Sequence, residues 1–216
     1  LHPAGARRYA DTVVDVRTAL LEAAMTAFAE AGTRGATTRR IAEAAGVNEV
    51  TLFRHFRTKH ELIRAALERF VERLERQPLP DRPADPRAEL LQWARAHYRM
   101  LHRHRALIRK VMSEREEYPA HCAVGLRAST AIAADLTAYL ARLRRDGLAA
   151  PDGWDERAAA SMLLGALFSD AMGRDTMPER YSYSQREAVE RYVDLLVRAI
   201  AARPRARRRE RGSTPS

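Results

Sequence analysis

Apolar side chains recur at helical spacing along almost the whole 216-residue chain. From Thr12 to Ala31 the positions Val13, Val16, Leu20, Ala24, Ala27 and Phe28 form one stripe, and Gly32 follows as a stop signal. A second long stripe starts at Lys59 and runs to about Gln77, with Leu62, Ile63, Ala66, Leu67, Phe70, Val71 and Leu74 on one face. Pro78, Pro80, Pro83 and Pro86 then interrupt the pattern. Asp85-Pro86 reads as cap and first position of a helix reaching about His102. Further helical stretches are predicted over 106–116, 120–145 (stopped by Gly147), 155–173 and 184–202. No segment alternates as a strand does, and no repeat is visible, so the expected fold class is all-α. The proline cluster divides it into residues 1–76, residues 77–202 and a tail, 203–216.

Between the two long stripes lies TTRRIAEAAGVNEVTLFRHFRTKHELI, residues 37–63. It reads as a short helix, a turn at Gly46, a second short helix and the capped start of a third. Glycine takes positive φ at such a turn without steric cost. Ala42 lets the two short helices approach closely, and Val47, Leu52 and Phe56 can pack onto Ile41. Asn48 is a good N-cap for the second helix, and Thr58 with Glu61 reads as a capping box for the third. This is how a helix-turn-helix presents its second helix to the major groove of DNA.

The segment from Arg17 to about Leu67 closely resembles the DNA-binding domain of the TetR family of bacterial transcriptional regulators. The resemblance is carried by RTALLEAAMTAFAEAG, TTRRIAEAAGV and TLFRHFRTKHEL. It covers about a quarter of the chain; the remainder is similar to the family only in length and helical pattern. It implies an N-terminal three-helix DNA-binding domain joined to a C-terminal helical domain for effector binding and dimerisation.

DNA contacts follow residue by residue. Thr37 and Thr38 precede the first short helix, where their hydroxyls and the helix's free N–H groups can bind phosphate. Arg39 matches a position that reaches a base edge, with Arg40 a weaker candidate. On the recognition helix, Asn48, Glu49, Val50 and Thr51 stand at the end that enters the groove. Glu49 can accept from cytosine N4, and Val50 or Thr51 can touch a thymine methyl. His55 and Lys59 match positions that hold the sugar-phosphate backbone. Two residues depart from the pattern: Phe53 replaces a common Tyr, losing a hydroxyl, and Glu49 replaces a residue that is often basic or polar. The operator therefore cannot be copied from relatives.

Charge refines this picture less than the motif does. The formal net charge is +10 and the isoelectric point about 10.5, which favours a polyanionic partner. Residues 1–76 contribute +3, residues 77–202 +2 and the tail, RPRARRRERGSTPS, +5. Half of the excess thus sits in a segment expected to be disordered. Cys122 is the single cysteine, which excludes an intrachain disulfide. The longest uncharged run, Ala158 to Ser169, is too short for a bilayer, and no secretory h-region is seen, so the expected location is cytoplasmic with no membrane partner.

Two tasks fall to the second part on the strength of the resemblance. One is homodimerisation, so that two heads read a pseudo-palindromic double-stranded operator. Its candidate surface is Ala158, Ser161, Gly165 and Ser169 with Val189, Val193 and Leu196. The other is binding of a small-molecule effector that releases the operator by a population shift. Candidate lining residues are Trp93, His97, Met100, Leu101, Met112, Tyr139, Met162 and Phe168. His97, His102 and His104 lack the i, i+4 spacing of a helical metal site, and Glu114, Glu116 and Glu117 read as a solvated charge run. No metal, cofactor or catalytic motif is called for. The expectation is a ligand-responsive repressor rather than an enzyme. The alternative is a DNA-binding protein of the same fold that acts without an effector.

Overall fold

The computed structural model describes residues 3–75 and 77–202, with side chains from Val16 onward. The expected tail at 203–216 and the side chain of Val13 lie outside the described residues. Among the described residues the secondary structure is helical throughout: α1 (Pro3–Gly35), α2 (Thr38–Ala44), α3 (Glu49–His55), α4 (Lys59–Glu72), α5 (Pro86–Arg103), α6 (Arg105–Ser113), α7 (Pro119–Arg145), α8 (Glu156–Gly173) and α9 (Gln185–Ala199), with a 3₁₀ turn at Pro178–Arg180 before α9. None of these helices is long and apolar enough to cross a membrane.

Contacts group these helices into two units. The described residues within Leu1–Glu75 and His104–Thr130 form unit 1; those within Arg76–Arg103 and Ala131–Ser216 form unit 2. The units part at Glu75, and residues 104–130 group with the N-terminal part rather than with the segment 77–202 to which the sequence assigns them. The reason is packing. α6 lies against α1, Val124 of α7 is buried in the same apolar cluster as Leu20, Phe28, Ile41 and Ile63, and Leu107 and Val111 cover its edge.

Local chemistry explains the head's helix ends. Thr37 Oγ1 accepts from the N–H of Arg40 at 3.3 Å and so caps α2. Asn48 Oδ1 accepts from the N–H of Thr51 at 2.8 Å, capping α3. Thr58 Oγ1 accepts from the N–H of Glu61 at 3.1 Å. Glu61 reaches back one residue further than a capping box requires, accepting from the N–H of Arg57 at 3.2 Å. Leu52, Phe56, Leu62 and Ile63 are almost wholly buried, each contributing about 1.5–3 kcal/mol of transfer free energy.

Gly32 breaks α1 where the sequence places a stop. Its φ of 69° and ψ of −173° fall in a region essentially restricted to glycine. A Cβ there would also meet Glu114 Oε1 at 2.2 Å. Gly32→Ala should therefore cost about 1–3 kcal/mol of stability, read as a lowered thermal midpoint. An unchanged midpoint would contradict this assignment.

In unit 2, α5 packs against α8 and α9, and α8 against α9. Asp155 and Ser184 cap α8 and α9 through their side chains, Ser184 in a full capping box with Glu187. The buried Asp170 accepts from Tyr98 Oη at 2.7 Å and Tyr192 Oη at 2.8 Å. Arg174 grips it with two further bonds of 2.9 and 2.7 Å. That network joins α5, α8 and α9 through one carboxylate.

Candidate nucleic-acid interface

The recognition helix α3 buries Leu52 and turns its other side outward. Val50 is 70% exposed and Phe53 48% exposed, so two large apolar side chains stand in solvent three positions apart. Contiguous exposed apolar side chains are one feature of interaction surfaces. Apolar side chains of this kind can touch methyl and sugar carbons of DNA.

Polar groups around this patch are already organised. Thr38 Oγ1 donates to Glu49 Oε2 at 2.5 Å, tying the start of α2 to the start of α3. This commits the Thr38 proton, so its hydroxyl meets a phosphate only if that bond breaks. Glu49 keeps its second oxygen as an acceptor. The Thr37 and Asn48 oxygens serve as caps, and the amide NH₂ of the exposed Asn48 is a further donor.

Arg39 is exposed, and its Nε donates to Glu43 Oε1 at 2.9 Å across one helical turn. The carboxylate raises the guanidinium pKa slightly further. An exposed pair of this kind is worth little and exchanges readily for a stronger partner. Arg40 pairs instead with Glu30 of α1, which directs it toward its own domain. Thr51 and His55 are half-buried on α3.

Lys59 opens α4, as expected, and makes an internal contact that the sequence did not announce. Its Nζ donates to the carbonyl of Thr33 at 2.7 Å, satisfying an acceptor at the broken end of α1. The ammonium therefore holds α4 to α1 and has two protons left for a phosphate.

Glu114 also departs from its reading as a solvated charge. Its carboxylate accepts from the Thr33 N–H at 3.1 and 3.2 Å and from the Thr33 hydroxyl at 2.7 Å. Glu117 pairs with Arg34 at 2.8 Å. The local charge run gave no sign of this, because the partners stand 81 residues apart in sequence.

The effector candidates divide. Trp93 and Leu101 are buried in unit 2, and the His97 ring stacks on Trp93 at 5.3 Å and 9°. Burial pushes the His97 imidazole down to about 4, leaving it neutral at physiological pH. Met100 and Phe168 are half-buried in the same unit. Tyr139 is fully buried and its hydroxyl donates to Glu89 at 2.6 Å. Met112 and Met162 do not belong with them: Met112 is exposed and lies in unit 1, and Met162 is 73% exposed on α8.

The dimer candidates divide too. Ala158, Ser161 and Gly165 are exposed on α8, and nothing occupies the space where a Gly165 Cβ would point. Ser169 is half-buried and bonded to Tyr181 at 3.0 Å. Val189, Val193 and Leu196 are buried within the chain. The stripe of α9 is thus used against α5 and α8, and the large apolar residue that this helix exposes is Leu195.

Comparison with known proteins places this geometry. Residues 20–66 match the profile described as "Bacterial regulatory proteins, tetR family". A 58-residue segment, 27% of the chain, is 43% identical to the HTH-type transcriptional repressor KstR2 of Rhodococcus jostii. The match spans 28% of that repressor's length, so it speaks for the reading head. Among solved structures, the flavonoid-responsive regulator FrrA superposes with a TM-score of 0.69 at 23% identity, covering 88% of this chain and 98% of FrrA. The regulator FadR of Bacillus subtilis, in complex with stearoyl-CoA, gives 0.63 at 20%, covering 85% and 98%. At these identities the likeness is one of fold. The helix-turn-helix segment, residues 20–66, is thus that of the bacterial regulatory proteins of the tetR family, and the chain as a whole shares the helical fold of these solved regulators.

Proposed function

We propose that the chain is a sequence-specific, homodimeric transcriptional regulator that represses by occupying operator DNA and leaves it when a small molecule binds. The observation that carries the DNA-binding part is the outward face of α3, where Val50 and Phe53 stand exposed beside Glu49, Thr51 and the exchangeable Arg39. Arg39, Glu49, Val50 and Thr51 would read bases, Phe53 would pack on sugar, and His55, Lys59, Thr37, Thr38 and Asn48 would hold phosphates. Arg40, tied to Glu30, would contribute least.

Dimerisation is supported by the small, exposed face of α8, which also carries the exposed Met162, and by the exposed Leu195 of α9. Such a face lets two backbones approach closely, and a two-fold axis sets two recognition helices on successive major grooves. Effector binding is supported by what the structural neighbours carry, a flavonoid response in one and an acyl-CoA in another. The neutral His97 stacked on Trp93, with Met100 one turn on and Phe168 half-buried on α8, which packs against α5, suits an apolar ligand body with one polar group.

Selection from a random duplex library tests this reading. Enrichment of an inverted repeat with two protomers bound per duplex is the expected result; no enrichment above input would overturn it. On the enriched duplex, Arg39→Ala should cost about 1–3 kcal/mol and relax preference at one position per half-site. An unchanged affinity and preference would remove Arg39 from the interface.

A further inference from the structure

We infer that Glu114 and His121, both outside the helix-turn-helix, position the reading head through a latch on Thr33 that closes fully only on taking up one proton. The inference rests on the reading of unit 1 as a DNA-binding head.

Thr33 is buried at the break in α1, four residues ahead of the α2 cap. Its carbonyl receives Lys59 at 2.7 Å, and its N–H points into the Glu114 carboxylate. Its hydroxyl oxygen lies 2.7 Å from Glu114 Oε2 and 3.2 Å from His121 Nδ1. On the far side of the buried imidazole, Nε2 lies 3.3 Å from the carbonyl oxygen of His60. The latch therefore spans the end of α1, the start of α4 and the α6–α7 region, and α2 and α3 are strung between its first two anchors.

The three contacts in this chain, Glu114 to Thr33, Thr33 to His121 and His121 to His60, need one proton each. The hydroxyl supplies one and a neutral imidazole supplies one; a carboxylate and a carbonyl supply none. If the hydroxyl donates to Glu114, Nδ1–H must donate to Thr33, and Nε2 faces a carbonyl with no proton between them. If Nε2–H donates to His60, the hydroxyl is needed by Nδ1, and Glu114 faces an oxygen at 2.7 Å without a proton. An imidazolium satisfies all three at once.

The surroundings divide over that charge. Burial is the largest influence and pushes His121 below its ordinary value, with His60 and Arg64 of α4 acting in the same direction. The His60 carbonyl and the Glu114 carboxylate favour the proton. The rings of Tyr118, His60 and Phe28 enclose the imidazole at 5.5, 5.7 and 6.1 Å between centroids. Proton uptake therefore falls on the acid side of the ordinary histidine range, and acidification completes the latch.

Glu114→Gln separates this from a merely structural role. The amide oxygen can take the Thr33 N–H while the amide NH₂ donates to Thr33 Oγ1, which supplies the missing proton at any pH. On a duplex selected by the parent chain, the variant should bind about three- to tenfold more tightly than the parent near pH 7.5. The gap should close toward about pH 5.5, below the ordinary histidine value. Parallel pH curves, or weaker binding by the variant at every pH, would overturn the inference. Imidazole ¹⁵N spectra of the full free chain provide a readout that needs no DNA. In the parent, His121 should become imidazolium on acidification; in Glu114→Gln it should hold the Nε2–H neutral form to lower pH. An identical titration in the two chains would overturn the latch. Failure to select any duplex would count against the DNA-binding reading and leave this spectroscopic test standing.

Discussion

A Val50→Glu chain is expected to fold as the parent does and to bind its operator at least about a hundredfold more weakly, a loss near 2.7 kcal/mol. Val50 is 70% exposed, so the change removes almost no buried apolar surface and α3 keeps its Asn48 cap. In the groove the new carboxylate would stand beside Glu49 and face phosphates. Like-charge juxtaposition of this kind costs several kcal/mol, and a dimer meets it twice. Circular dichroism checks the fold and fluorescence anisotropy the affinity. Undiminished binding by a folded variant would mean that α3 does not enter the groove.

The largest expected effect on stability is that of Asp170→Ala. Burial alone would raise the Asp170 pKa, but the bonds from Arg174, Tyr98 and Tyr192 outweigh it and hold the carboxyl below its usual range. The same contact works on its partners. Burial and then the Asp170 bond push Tyr98 up to about 12, and the Asp170 bond raises Arg174. Removing the carboxylate strands a largely buried guanidinium and two phenolic hydroxyls, a loss of about 3 kcal/mol or more. For a chain of this size that lowers the thermal midpoint by roughly 6–12 °C. The sign with pH follows from the depressed folded-state value. The contribution is present above the unfolded-state pKa of about 4 and is lost as pH falls through the folded one. A midpoint unmoved by the substitution would show that the network is incidental.

The helices were legible because their signals are local. Asn48, Thr58 and Gly46 each act within a few residues of their own position, and the observed caps of α3 and α4 fall on Asn48 and Thr58. The exposed end of α3 was legible for the same reason. What required the structure is what pairs distant segments. A stripe such as Val189, Val193 and Leu196 announces an apolar face, but not whether the chain or a partner covers it; here the chain does. Met112 and Met162 read as interior by residue type alone, and both are exposed. Glu114 read as one of three solvated carboxylates until Thr33 was brought against it. The grouping of residues 104–130 with the head has the same origin, since α6 shares the apolar face of α1 that the helix-turn-helix leaves open.

The most direct test of the central claim is a competition titration of the full chain on DNA from upstream of its own gene, at two salt concentrations with an unrelated duplex in excess. A specific regulator should bind saturably, with two protomers per site, and resist the competitor at both salts. Binding that disappears with competitor or salt would mark a basic protein with only non-specific affinity, and would contradict the reading given to α3.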